Sequence, residues 1–137
     1  MLQLRNDLWL QIVGHSLDCL PEEACGLLGG RPDGTVELFR PCANVDRSAR
    51  TYAIDGLDVL RFERELEGRS EALEVLGVVH SHTHTDAYPS PTDVDRAALL
   101  GDWHFLIVSL RHPEPVARSY RIVGGEIVEE PILVGEA

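Results

Sequence analysis

Val78-Val79-His80-Ser81-His82-Thr83-His84-Thr85-Asp86-Ala87-Tyr88-Pro89-Ser90-Pro91-Thr92-Asp93 is the stretch around which the chain is organised. It opens as an apolar strand and places two histidines one residue apart. Strand side chains alternate with period 2, so His80 and His82 share a face. A polar loop follows. Ser90-Pro91-Thr92-Asp93 then reads as a helix start, with a capping serine and proline at the first helical position. A short loop returns Asp93 to the face of the histidines. His, His and Asp form a donor set that suits zinc. Three protein ligands leave a fourth position for water, the usual arrangement of catalytic zinc. Each half alone has a plainer reading, a satisfied core histidine or a helix cap. At this spacing the two together point to metal.

Composition narrows the possibilities around that stretch. At 137 residues and 44% apolar content, one globular domain spanning residues 1–137 is expected. The net charge of −11 repels phosphate, and no arginine run offsets it, so nucleic acid is not an expected partner. All twelve basic residues are arginine, which excludes a lysine Schiff base or a P-loop lysine. The three cysteines, Cys19, Cys25 and Cys42, are odd in number and lack C-x-x-C spacing. They fit a reducing compartment better than a disulfide framework. The first residues lack the pattern of a signal peptide, and no apolar run approaches the ~20 residues of a membrane span. A cytoplasmic protein is expected.

Taken in order, the chain alternates helices and strands. A first helix, capped by Asn6 or Asp7, is predicted through about Leu20, with Pro21 ending it. Glu22 to Gly30 reads as a buried strand, Arg31-Pro32-Asp33-Gly34 as a turn, and Thr35 to Phe39 as the return of a hairpin. Pro41 to Ala49 reads as loop, and Arg50 to Ile54 as a short alternating strand. Asp55 caps a helix over residues 56–74, with Leu57, Leu60, Phe62 and Leu66 as its apolar side. The metal strand runs from Val75 to His82, and a helix from Pro91 to about Leu100. Strands are expected over 103–110, 116–123 and 127–134, the last two joined by Gly124-Gly125. Pro131 marks an edge strand. The class is α/β in the α+β sense, with helices flanking one mixed sheet.

Three ligands do not make a hydrolase. A base must take a proton from the attacking water, and a donor should meet the oxyanion. Glu22 and Glu23 lie where the first helix gives way to a buried strand. Alternation places Glu23, Cys25 and Leu27 on one face and Glu22 and Ala24 on the other, without choosing the active face. Glu22 is assigned to the exposed connection.

Glu23-Ala24-Cys25-Gly26, then His80-Ser81-His82, ten residues and Asp93, with Ser90 three before it, resembles the JAMM motif of the catalytic MPN (Mov34/Pad1) metalloproteases. The resemblance covers nearly the whole chain. It implies one zinc per chain, held by His80, His82 and Asp93, with Glu23 as the base and Ser90 as the oxyanion donor. It also implies a cytidine-deaminase-like architecture. Thr83 departs from the proline that many members carry after the second histidine. His84 is an added imidazole, assigned to the exposed loop. The segments Ala87-Tyr88-Pro89-Ser90, Arg118 to Val123 and Glu129-Glu130-Pro131 resemble a bacterial branch that hydrolyses adducts between a ubiquitin-like sulfur-carrier protein and cysteine. The implied partner is therefore a ubiquitin-like or sulfur-carrier protein. Alternatives are an isopeptidase acting on ubiquitin-like conjugates and a non-catalytic MPN scaffold. A base deaminase would need His-x-Glu and Pro-Cys-x-x-Cys, which this chain lacks.

Among other residues, Cys25 reads as a structural thiol, Trp9 and Trp103 as core, and His15 and His104 as outside the chemistry. Asn44, Arg50 and Tyr52 are candidates for lining the cleft, set against a plain role as loop and strand filler.

Overall fold

A computed structural model describes residues 1–135. The elements run β1 (Leu2–Arg5), α1 (Asn6–Asp18), β2 (Cys25–Gly30), β3 (Val36–Cys42), α2 (Gly56–Arg69), β4 (Glu74–His82), α3 (Pro91–Ala97), β5 (His104–Ser109), β6 (Val116–Val123), β7 (Glu126–Glu130) and β8 (Ile132–Gly135). Six strands form one mixed sheet in the order β3-β2-β4-β5-β6-β7. Only β4 and β5 are parallel within it, and α3 lies in the crossover that joins them. Parallel neighbours need such a crossover, whereas the antiparallel pairs β2–β3, β5–β6 and β6–β7 are each consecutive in the chain and joined by a short connection.

Alternation sorts the sheet into two faces. Leu27, Val78, Phe105 and Ile107 pack with Phe62 and Leu66 of α2 and Ala97 of α3. Leu28, Val79, Leu106 and Val108 pack on the other side against Leu8 and Ile12 of α1 and Leu2 and Leu4 of β1. His80 and His82 belong to the first face by parity, so the site opens on the side of α2 and α3. Both faces of the central strands are covered, which accounts for their near-continuous apolar runs.

Several expectations are corrected. Arg5, not Asn6 or Asp7, is the N-cap of α1, and its side chain pairs with Asp7 instead of closing the cap. Leu2–Arg5 is a strand, paired in parallel with β8 in a separate two-stranded sheet. The expected final strand splits at Pro131, because proline gives no N–H to a ladder. The chain there passes from the six-stranded sheet to the small one. Helix α2 stops at Arg69, where Ser70 turns extended. Its core residues are Val59, Phe62 and Leu66, while Leu57 and Leu60 are exposed. Helix α3 ends at Ala97 rather than Leu100. The β-prone segment 50–54 is irregular. Its backbone donors go to side chains, Thr51 N–H to Ser48 Oγ at 3.2 Å and Ala53 N–H to Asn44 Oδ1 at 3.1 Å. Strand β3 starts at Val36 and extends through Pro41, which its edge position tolerates. Among the described residues, no helix is long and apolar enough to cross a membrane.

The expected hairpin at Gly124-Gly125 is present. Both residues have positive φ, 58° and 80°, the requirement of a type I′ turn. The edge strand it delivers is held by a polar ladder. His104 Nδ1 donates to Glu130 Oε2 at 2.7 Å, and Ser119 Oγ donates to the same oxygen at 2.8 Å. Arg121 bonds His104 Nε2 at 2.8 Å and Asp102 at 2.8 Å. Guanidinium only donates, so His104 Nε2 is the acceptor of that bond. Burial alone would raise the Glu130 carboxyl, but these hydrogen bonds outweigh it and hold it at about 2.

Gly77 fits because nothing larger does: a Cβ there would lie 2.0 Å from the carbonyl oxygen of His104 on the paired strand. Gly77→Ala is expected to lose about 3 kcal/mol, measured by urea unfolding. Gly68→Ala, on an open helix surface with nothing within 4 Å, is expected to gain about 0.5–1 kcal/mol. The Glu130 contribution is a depressed carboxylate, present above the unfolded value of 4.5 and lost as pH falls towards about 2. The stability gap between wild type and Glu130→Gln should therefore shrink between pH 4.5 and 2. A gap that stayed constant across that window would remove the assignment.

Candidate metal centre

Three donor atoms converge at the end of β4. His80 Nε2 lies 3.2 Å from His82 Nε2, and Asp93 Oδ2 lies 3.2 Å and 3.1 Å from the two nitrogens. A tetrahedral ion with ligands at about 2.0 Å needs ligand atoms about 3.3 Å apart. The triangle therefore has the size of one face of a zinc tetrahedron. All three residues are buried. His82 Nδ1 donates to the Asp86 carbonyl at 2.7 Å, which leaves the Nε2 lone pair for the site. Three buried acceptors aimed at one point repel one another unless a cation sits between them. The residues present fit a bound metal.

Each member is placed by local structure. His80 and His82 are on the strand, with Tyr52 stacked on the His80 ring, centroids 4.2 Å apart. Asp93 is the third residue of α3. Its Oδ2 accepts from the Ser90 N–H at 2.9 Å, while Ser90 Oγ accepts from the Asp93 N–H at 3.1 Å. This reciprocal cap fixes the carboxylate. The cap bond uses a lone pair of the Ser90 hydroxyl and leaves its own hydrogen uncommitted. Burial would raise the Asp93 carboxyl, but the two imidazoles outweigh that and push it far below the usual carboxylate range.

Glu23 arrives from the other side. It ends the connection after α1, just ahead of β2, and is 3% exposed. A carboxylate oxygen of Glu23 and ring nitrogens of His80 and His82 lie within 4.8 Å of one another. Cys25 pairs with His80 in the β2–β4 register, so the face carrying Glu23 and Cys25 is the face of the histidines. This resolves what alternation alone left open. Glu23 Oε1 is buried with no protein partner. Burial lifts its carboxyl to about 8; His82 pulls it down, and Asp93 and Asp46 push it up. His80 Nδ1 is likewise buried without a partner, and burial lowers the basicity of that ring against the pull of Asp93.

The structure brings together His80, His82, Asp93, Ser90 and Glu23, and leaves out His84, which is exposed. Cys25 is buried, its thiol pushed up to about 12 by burial, which suits a structural role. Of the cleft candidates, Tyr52 backs the His80 ring. Asn44 is a hub: its Nδ2 donates to the Glu23 carbonyl at 3.1 Å and the Thr51 carbonyl at 2.9 Å, and its Oδ1 accepts from Asp46 N–H at 3.0 Å. Arg96 of α3 bonds Asp46 and the Tyr52 carbonyl, clipping the loop to the helix that carries Asp93. Sequence reading did not find Arg96, since a basic residue in the last turn of a helix carries an ordinary explanation.

Residues 5–123 match the family described as prokaryotic homologs of the JAB domain. The CysO-cysteine peptidase of Mycobacterium tuberculosis is 42% identical over 139 residues, covering 99% of this chain and 92% of that protein. The desampylase of Haloferax volcanii is 31% identical over 116 residues, covering 83% of this chain and 79% of that protein. The solution structure of protein DSY2949 from Desulfitobacterium hafniense superposes with a TM-score of 0.89 at 35% identity, covering 100% of this chain and 94% of that one. The chain belongs to the prokaryotic JAB-domain family and has the JAMM/MPN fold.

Proposed function

We propose that residues 1–137 form one catalytic unit, a zinc-dependent JAMM-type peptidase. It cleaves a bond at the C-terminus of a ubiquitin-like or sulfur-carrier protein. The carrying observation is the buried triangle of His80, His82 and Asp93 with the Glu23 carboxylate beside it. The CysO-cysteine peptidase similarity supports a carrier–cysteine bond as the substrate. The desampylase similarity favours a second reading, hydrolysis of an isopeptide-linked ubiquitin-like conjugate. A non-catalytic scaffold would have no need of a buried, unpartnered carboxylate next to a complete ligand set. Three free thiols fit a reducing cytoplasm.

In this reading His80, His82 and Asp93 hold one zinc per chain. Zinc, when bound, would lower the pKa of a coordinated water to about 7 and polarise a carbonyl. Glu23 takes a proton from the attacking water at its carboxylate. Burial suits it to hold that proton near neutral pH. The C–N bond breaks, the carrier regains a carboxylate, and the amine leaves with the proton Glu23 carried. Ser90 donates its uncommitted hydroxyl hydrogen to the oxyanion while its lone pair keeps the helix cap. Tyr52 and the Asn44 hub keep the ligand ring and the Glu23 backbone in register.

Glu23→Ala should abolish hydrolysis yet retain about one zinc per chain by elemental analysis, because the ligand triangle is intact. Asp93→Ala should lose metal and activity together. Full activity in Glu23→Ala would remove the base. Ser90→Ala separates cap from catalysis. Loss of the cap costs about 1 kcal/mol of stability, whereas loss of an oxyanion donor lowers kcat about 100- to 1,000-fold. A kcat unchanged in folded, zinc-loaded Ser90→Ala would leave Ser90 as a cap alone. The two substrates are separated by mass spectrometry of products from a carrier bearing C-terminal cysteine and a carrier linked to a lysine side chain.

A further inference from the structure

The rim of the site carries two arginines that the chemistry above does not use. Arg47 and Arg50 are exposed, and neither pairs with a carboxylate among the described residues. Most other arginines do, as expected in a chain of net charge −11. The residues between them are fixed against the site. Ser48 accepts the Glu23 N–H through its carbonyl at 2.8 Å. Ala49 accepts the Thr83 hydroxyl at 3.1 Å, one residue past His82. The segment 47–50 thus bridges the base on one side and the end of the metal strand on the other.

The segment is held rather than loose. Arg47 N–H bonds the Asn44 carbonyl at 3.1 Å, and Arg50 N–H bonds Ser48 Oγ at 3.0 Å. Arg47 has φ 47°, a left-handed conformation that a side chain of its kind rarely adopts. Such strain persists where surrounding contacts impose it, and it concentrates at functional sites. The nearest acid on the segment, Asp46, is already occupied by Arg96 and by the Thr51 hydroxyl. Two guanidinium groups without counter-ions are thus carried by the segment that bonds the Glu23 backbone and the Thr83 side chain.

We infer that Arg47 and Arg50 recognise a free α-carboxylate on the leaving group, and so select a carrier extended by one residue over an isopeptide-linked protein. The inference rests on the peptidase reading above and names its substrate class. A one-residue leaving group carries its carboxylate about one residue length, ~3.8 Å, beyond the scissile bond. A lysine linked through its side chain carries no carboxylate there, because its backbone continues in both directions. A carboxylate carried into a partly buried cleft loses hydration, a cost that an opposite charge on the rim offsets. Guanidinium meets the carboxylate with paired N–H donors in a fixed fork, and its charge is independent of pH across the working range.

The test uses the zinc-loaded full chain and a ubiquitin-like carrier with a Gly-rich tail extended by one cysteine, prepared as the free acid and as the C-terminal amide. The two differ only in that charge. Wild type should cleave the acid with a kcat/KM roughly ten- to a hundredfold above the amide, carried mainly by KM. In Arg47→Asn/Arg50→Gln, the acid-to-amide ratio should fall to about one; asparagine is chosen because it tolerates the positive φ at position 47. Charge reversal in Arg50→Glu should take the ratio below one. Equal cleavage of acid and amide by wild type, or an unchanged ratio in the double variant, overturns the inference and leaves the peptidase reading standing. Wild type inactive on the acid, the amide and a lysine-linked conjugate overturns both.

Discussion

Two hydrogen bonds between Ala24 and Ser81 fix where β2 lies against β4. The Ser81 N–H reaches the Ala24 carbonyl at 2.9 Å, and the Ala24 N–H reaches the Ser81 hydroxyl at 2.8 Å. Ser81 is the residue between the two histidines, and Ala24 follows Glu23. A slip of one residue in this pairing would send Glu23 to the opposite face of the sheet. Position 81 faces away from the metal side, so its hydroxyl costs the site nothing and sets the register on which the site depends. The side chain that lies between the ligands in sequence lies behind them in space.

Electrostatics then divides labour among acids of similar chemistry. Asp93 accepts the Ser90 amide and lies against both imidazoles, surroundings that keep it ionised despite its burial. Glu23 receives no hydrogen bond on Oε1 and is dominated by burial, which keeps its proton affinity high. Two carboxylates near one metal position are thus pushed in opposite directions by their surroundings, one towards ligation and the other towards proton transfer. Asp46, a few residues from both in space through Arg96 and the 44–53 loop, is neutralised by ion pairing instead.

Local information made the centre of the site legible. Alternation places His80 and His82 together and the cap signature places Ser90 and Asp93; parity puts Glu23 with Cys25 but leaves the face open, and only the resemblance to the JAMM motif selects Glu23. What stayed illegible depends on contacts distant in sequence. Leu2–Arg5 is a strand only because residues 132–135 lie beside it. Residues 50–54 have strand-like composition, but Asn44 and Ser48 capture their backbone donors first. Stacking of Tyr52 on His80 and the Arg96 clip join elements 28 and 44 residues apart, with no periodicity to announce them. In α2 four apolar positions fall near one side, yet Leu57 and Leu60 face out. The sheet covers only the narrow stripe of Val59, Phe62 and Leu66.

Both outer strands of the six-stranded sheet are poor templates for another strand. Strand β3 carries Pro41 near its end, which removes one free donor, and exposed Arg40 beside it. Strand β7 carries Glu126, Glu129 and Glu130 within five residues and is followed directly by Pro131. Charge and missing N–H groups are the devices that keep sheet edges from pairing with their own copies. The acidic balance of the chain thus acts along its most vulnerable backbone, and guards a crowded solution of this protein against edge-to-edge aggregation.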